Sequence, residues 1–175
     1  MNVKLLTKSA LICALMCVLS QIAVPLPFTA IVLSLGITGM YIAGALLPPR
    51  SALFSLLAYL LLGAAGVPVF AKFGSGIGAL IGPTGGFLIT YPKGAFVISL
   101  ILKKTGKSFL KYSFAMFIGT IVCHSGGVLW FCIFQKAGLL ASALAVSLPF
   151  IPFDIFKIMI TAMLCGIFER RIRPH

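Results

Sequence analysis

The sequence predicts an all-α, polytopic integral membrane protein with six transmembrane helices and cytoplasmic N- and C-termini. Of 175 residues, 61% are hydrophobic and only 9% are charged, whereas a soluble domain is about half apolar and about a quarter charged. Long apolar stretches recur between short breaks of Pro, Gly and basic residues, and a bilayer core asks for about 20 mostly apolar residues per helix. No Ser-, Gly- or Pro-rich linker divides the chain, so residues 1–175 are read as a single domain.

The first span is 3–21, closed by Pro25 and Pro27. Lys4 and Lys8 ahead of an apolar run also fit a cleaved signal peptide. Its removal would leave five spans and spoil the charge pattern, so the segment is taken as a helix. The second span, 30–47, stops at Pro48-Pro49-Arg50, and the short third, 51–65, ends in Gly66-Val67-Pro68. A Gly-rich stretch over 73–86 reads as too irregular to face lipid as a helix. The fourth span covers 85–102, before Lys103-Lys104, and the fifth covers 111–135. Residues 137–147 are apolar but short and are interrupted by Pro149 and Pro152. The sixth span is 154–168, ending in Glu169-Arg170-Arg171.

Six spans place Lys4, Lys8, Arg50, Lys103, Lys104, Lys107, Lys111, Arg170, Arg171 and Arg173 on one side. Only Lys72, Lys93, Lys136 and Lys157 of the 14 basic residues remain. The excess of cations marks that side as cytoplasmic. The net charge of +12 therefore reads as membrane flanks, with no basic face interleaved with aromatics for nucleic acid. The five cysteines lie inside apolar runs and read as small packing residues rather than a disulfide framework or metal site.

Two acids exist in the chain. Glu169 sits among arginines at a helix end, where a solvated ion pair suffices. Asp154 opens the sixth span, and Lys157 follows on the same helix face. Charged groups near membrane depth are costly and usually face a protein interior or cavity. The pair reads either as mutual neutralisation at the helix mouth or as a polar clamp, the carboxylate accepting N–H bonds and the ammonium donating.

The run Gly82-Pro83-Thr84-Gly85-Gly86 is a second candidate, since irregular backbone at this depth is tolerated where it is buried or lines a cavity. Its glycines allow close ligand approach, and amides at the start of the following helix suit a carbonyl or anion. It is not a nucleotide loop, because no Lys-Ser or Lys-Thr follows; Gly106-Lys107-Ser108 has Ile101 where the leading glycine would stand. Ala10 and Ala14 make a small-residue pair on the first span, read on residues alone as internal packing. His124, beside Ser125 but with no nearby acid in sequence, reads as a helix-packing residue rather than a catalytic one.

Several of these stretches resemble the BioY family, the biotin-specific substrate-binding (S) components of energy-coupling-factor (ECF) transporters. They are Pro25-Leu26-Pro27-Phe28, Leu47-Pro48-Pro49-Arg50, the run 59–70, Gly82-Pro83-Thr84-Gly85-Gly86-Phe87-Leu88, and Pro149-Phe150-Ile151-Pro152-Phe153-Asp154-Ile155-Phe156-Lys157. The resemblance covers nearly the whole chain. It departs at Phe87 and Phe153, where the family commonly carries Tyr and Gly, and over 30–36, which replaces a Pro-rich family stretch.

The resemblance implies a six-helix S component in a prokaryotic plasma membrane that captures biotin from outside and is not itself an enzyme. It further implies a membrane coupling (T) subunit and two cytoplasmic ATPase subunits as partners, with Ala10 and Ala14 facing the coupling subunit. No cofactor or metal is implied. Asp154 and Lys157 match the family's ligand-contacting acid and base. Gly82, Thr84, Gly85, Gly86, Phe87 and Phe28 would close the pocket, and Lys93 or Lys72 would meet the biotin carboxylate. An S component for another vitamin, a stand-alone carrier and a membrane-embedded enzyme are the other readings.

Overall fold

The computed structural model describes residues 3–25, 32–106 and 108–172. Helix α1 spans Val3–Gln21, and a short antiparallel hairpin of β1 (Ala23–Pro25) and β2 (Val32–Ser34) follows, with Ala23 opposite Ser34 and Pro25 opposite Val32. The Ile22 carbonyl accepts the Leu35 N–H at 3.0 Å, which extends the hairpin to the start of the next helix. That helix, α2, is Gly36–Leu46. The second apolar run is thus split: 32–34 form a strand where the sequence predicts helix. Val and Leu suit a pleated, half-buried surface as well as a helix, and an apolar run carries no period to tell the two apart.

Pro48 (φ −59°, ψ 154°) ends α2, and Pro49 sits in the first turn of α3, Pro49–Ala64. Proline cannot continue a helix but is pre-set for its first position, so the predicted break falls where Pro48-Pro49 placed it. The Gly-rich stretch contains a 3-10 turn at Ala71–Phe73 and the six-residue helix α4, Gly76–Ile81, more order than the sequence suggested. Helix α5 spans Gly85–Thr105, with Pro92 inside it, and α6 spans Phe109–Gln135. Helix α7 (Leu139–Val146) leads through a 3-10 turn, Leu148–Phe150, into α8, Ile151–Ile172. The sixth run therefore starts at Ile151, because Pro152 is accommodated in the first turn.

Among the described residues four segments are long and apolar enough to cross a bilayer: α1, α5, α6 and Leu139–Phe168; α2 and α3 are shorter apolar helices. At α2's 11 residues the rise is about 16 Å, roughly half a hydrocarbon core. Leu110 and Ile133 are 77% and 76% exposed, as outward-facing side chains are when lipid is the solvent. The core is built around α5, which packs on α2, α3 and α6, with Met40, Tyr41, Leu56, Tyr59, Ile98 and Met116 buried between them. Leu5, Arg50 and Lys103 line one groove, which places these predicted cytoplasmic flanks at a common end of the bundle.

Candidate functional site

A cavity of about 300 Å³ lies among the hairpin, the 70–74 loop, the α4–α5 junction and helices α5, α6 and α8. Its size is at the lower edge of ordinary small-molecule sites, about 300–1,000 Å³. Most of its wall is apolar, from Leu33, Ile37, Phe70, Phe87, Val146 and Phe150. Its polar groups converge at one place. Asp154, 3% exposed, accepts a hydrogen bond from Lys157 Nζ at Oδ1 (3.1 Å) and faces His124 Nε2 at Oδ2 (2.8 Å). Lys157 Nζ also donates to the Ser34 carbonyl at 3.0 Å, which ties α8 to strand β2.

Local sequence explains this cluster. With α8 starting at Ile151, Asp154 and Lys157 lie one turn apart on its inward face. His124 comes from mid-α6, and its Nδ1 lies 2.7 Å from Ser147 Oγ at the end of α7. The Phe87 ring meets the imidazole edge-on, centroids 5.6 Å apart. That close fit depends on Gly127, where a Cβ would stand 2.3 Å from the Phe87 ring.

In the sequence His124 has no acid nearby and reads as a helix-packing residue beside Ser125. The fold brings Asp154 across from α8 and Ser147 from α7, while Ser125 donates to the Ile121 carbonyl. Chain separation hid the contact. The available signal was elimination, since Asp154 is the one acid outside the terminal arginine cluster and a histidine buried at 9% exposure needs a polar partner. Tyr91 and Ser34, which also line the cavity, were missed because neither carries a motif.

Thr84 and Phe87 line the cavity; Gly82, Gly85 and Gly86 do not. These glycines serve the frame instead. A Cβ on Gly86 would lie 2.2 Å from Trp130 Cβ, and one on Gly85 would collide with the Leu80 carbonyl. Trp130 Nε1 donates to the Gly82 carbonyl at 2.9 Å, which pins the turn that carries Pro83 and Thr84. The amides expected to greet a ligand already have partners, since the Phe87 and Leu88 N–H groups both donate to the Thr84 carbonyl. Phe28 lies outside the described residues.

Of the two candidate anion partners, Lys72 lines the cavity and Lys93 is exposed on α5, away from it. Lys72 and Phe73 are in the left-handed region (φ 57° and 59°), a conformation uncommon for residues with a Cβ. Gln21 braces their turn, its Oε1 accepting the Phe73 N–H and its Nε2 donating to the Pro68 carbonyl, both at 2.9 Å. Phe70 anchors the same loop edge-on against Tyr59. Ala10 and Ala14 are exposed on the outer face of α1, so the internal-packing reading of that pair does not describe them. Among the described residues no group of three or more His, Cys, Asp or Glu is placed to hold a metal.

The model of the BioY family matches residues 1–174. The "Probable biotin transporter BioY" of Pyrococcus horikoshii is 36% identical over 163 residues, 90% of this chain and 91% of that protein. The "Biotin transporter BioY2" of Lactococcus lactis subsp. cremoris is 38% identical over 174 residues, 95% and 90% of the two chains. A solved structure, "Crystal structure at 2.1 A of the S-component for biotin from an ECF-type ABC transporter", is similar with a TM-score of 0.89 at 29% identity. That match covers 96% of this chain and 92% of the other.

Proposed function

The chain belongs to the BioY family, and on that premise we propose that it is the biotin-binding S component of an ECF-type transporter, capturing the vitamin outside a prokaryotic plasma membrane. The observation that carries this is the buried Asp154–Lys157 pair at the base of a mostly apolar cavity. Biotin's bicyclic head presents ureido N–H donors and a carbonyl acceptor on an otherwise apolar ring system. Asp154, when ionised, is acceptor-only, and the Lys157 ammonium has three N–H groups. Two of these are used on Asp154 and Ser34, which leaves one for the ureido carbonyl while Asp154 accepts a ureido N–H. Phe87, Phe150 and Leu33 offer apolar surface to the thioether ring. Lys72, at the exposed rim, meets the carboxylate, and Lys93 has no part in the site. Thr84 lies in the turn over the cavity that Trp130 holds, with Gly82, Gly85 and Gly86 shaping that turn; Phe28 is a further ligand-contact candidate from the sequence.

In this reading α1, α2, α3, α5, α6 and α8 are six spans of one domain, 1–175, with α4 and α7 outside the count. The end that gathers Arg50 and Lys103 is cytoplasmic, with both termini, by the positive-inside bias. The protein is not an enzyme and needs no cofactor. Energy comes from a partner membrane coupling subunit and two cytoplasmic ATPase subunits. Ala10 and Ala14, small and outward on α1, let a partner helix approach closely.

The test is equilibrium binding to purified, detergent-solubilised protein. Saturable biotin binding at about one per chain, with thiamine and riboflavin ineffective, is the expected result. Folded protein that ignores biotin, or prefers either control, refutes the assignment.

A further inference from the structure

The environment of Asp154 fixes more than its burial. An ionised carboxylate only accepts, so Nε2 of His124 must carry the proton that it presents to Oδ2 across 2.8 Å. In neutral imidazole the other nitrogen is then an acceptor, so Nδ1 accepts a hydrogen bond from the Ser147 hydroxyl across 2.7 Å. In that tautomer the bonds run in one direction, from the Ser147 hydroxyl through His124 to Asp154, and each of the three groups comes from a different helix or its end. Lys157 holds the other carboxylate oxygen, so the plane of the carboxylate is set from both sides. A second cavity of about 570 Å³, with mostly apolar walls on α6, α7 and α8, shares His124 and Asp154 with the first. The His124–Asp154 pair therefore borders both. Without the imidazole, Oδ2 would lose the partner it has at 2.8 Å, and the carboxylate would be left with Lys157 alone among its present partners.

We infer that His124 is the positioning residue of the site: locked by Ser147 as the Nε2–H tautomer, it orients Asp154 so that the carboxylate presents its free lone pairs to the ligand's N–H groups. This rests on the reading of Asp154 as the ligand acceptor. A purely space-filling histidine makes a different prediction, because the surroundings of the ring include Phe87, Ile121 and Val128 and would accept leucine better than an amide.

The experiment compares biotin affinity for the wild type, His124→Leu and His124→Gln, each also in an Asp154→Asn background. Gln keeps an N–H donor for Asp154 and Leu removes it. Loss of a hydrogen bond to a buried charged group predicts about tenfold or more weaker binding for His124→Leu and within about threefold of wild type for His124→Gln. In the Asp154→Asn background the same two changes should differ by less than about twofold, since a residue that acts through Asp154 is non-additive with it. Leu binding as well as Gln, or equal losses in both backgrounds, overturns the inference. Failure of the wild type to bind biotin would instead sink the ligand assignment. The cycle is then scored on thermal unfolding of the unliganded protein, where His124→Leu should lower the melting temperature clearly in the wild type and far less beside Asp154→Asn. Equal lowering in both backgrounds again overturns it.

Discussion

At the cavity end, α6 meets α8 through His124 and Asp154, and α8 reaches the hairpin through Lys157 and the Ser34 carbonyl. In the middle of the bundle α2, α5 and α6 meet without a charged group. Gly44 of α2 and Gly119 of α6 both lie against Ile98 of α5, where added Cβ atoms would come within 2.6 and 2.5 Å of its side chain. The first region gains specificity from a few directed bonds between elements far apart in the chain. The second gains it from close packing, which is how helices associate when lipid removes the hydrophobic contrast between inside and outside. Damage should therefore separate: polar changes at one end should cost ligand, and small-to-large changes at the other should cost fold.

Gly44→Leu breaks the comparison most severely. Besides Ile98, the new side chain would meet the Ala95 backbone carbonyl at 2.9 Å, which cannot give way as a side-chain tip can. Destabilisation at the upper end of about 1–3 kcal/mol is expected, read as a lower melting temperature and a smaller monodisperse fraction in detergent. The molecules that remain folded should bind ligand normally; a selective loss of binding at unchanged stability would contradict the division.

Lys72→Gln is the milder change, and it sharpens the ligand end. Lys72 is exposed at the rim, where an ion pair contributes about 1 kcal/mol or less, so biotin affinity should fall by no more than about fivefold. Biotinamide, which lacks the carboxylate, should bind both proteins alike. Titration calorimetry with the two ligands separates a carboxylate contact from a general effect on the braced 70–74 loop.

Much of the bundle was legible because proline, glycine and cation positions interrupt apolar runs. Pro48-Pro49 fixed the α2–α3 break, and Lys103-Lys104 marked the end of α5 within three residues. The Asp154–Lys157 pair was legible because spacing on one helix is local information and acids are rare here. The β2 strand was not, since Val32-Leu33-Ser34 continues an apolar run without a change of pattern. Nor were the roles of Gly85 and Gly86, which depend on Leu80 and Trp130. His124 shows the limit most clearly: its two partners lie 23 and 30 residues away, and only the packing of α7 and α8 on α6 brings them together. Lys93 illustrates the converse, a candidate carboxylate partner that stands exposed on α5.

The most direct test of the account is biotin affinity of Asp154→Asn beside the wild type, with melting temperature as the control. The amide keeps the shape but loses the charge and one acceptor, and a bond to a buried charged group contributes about 1.5–3 kcal/mol. Binding about tenfold to a hundredfold weaker, in protein that still melts cooperatively, is the predicted result. Wild-type affinity in the folded variant would remove Asp154 from the site and contradict the account.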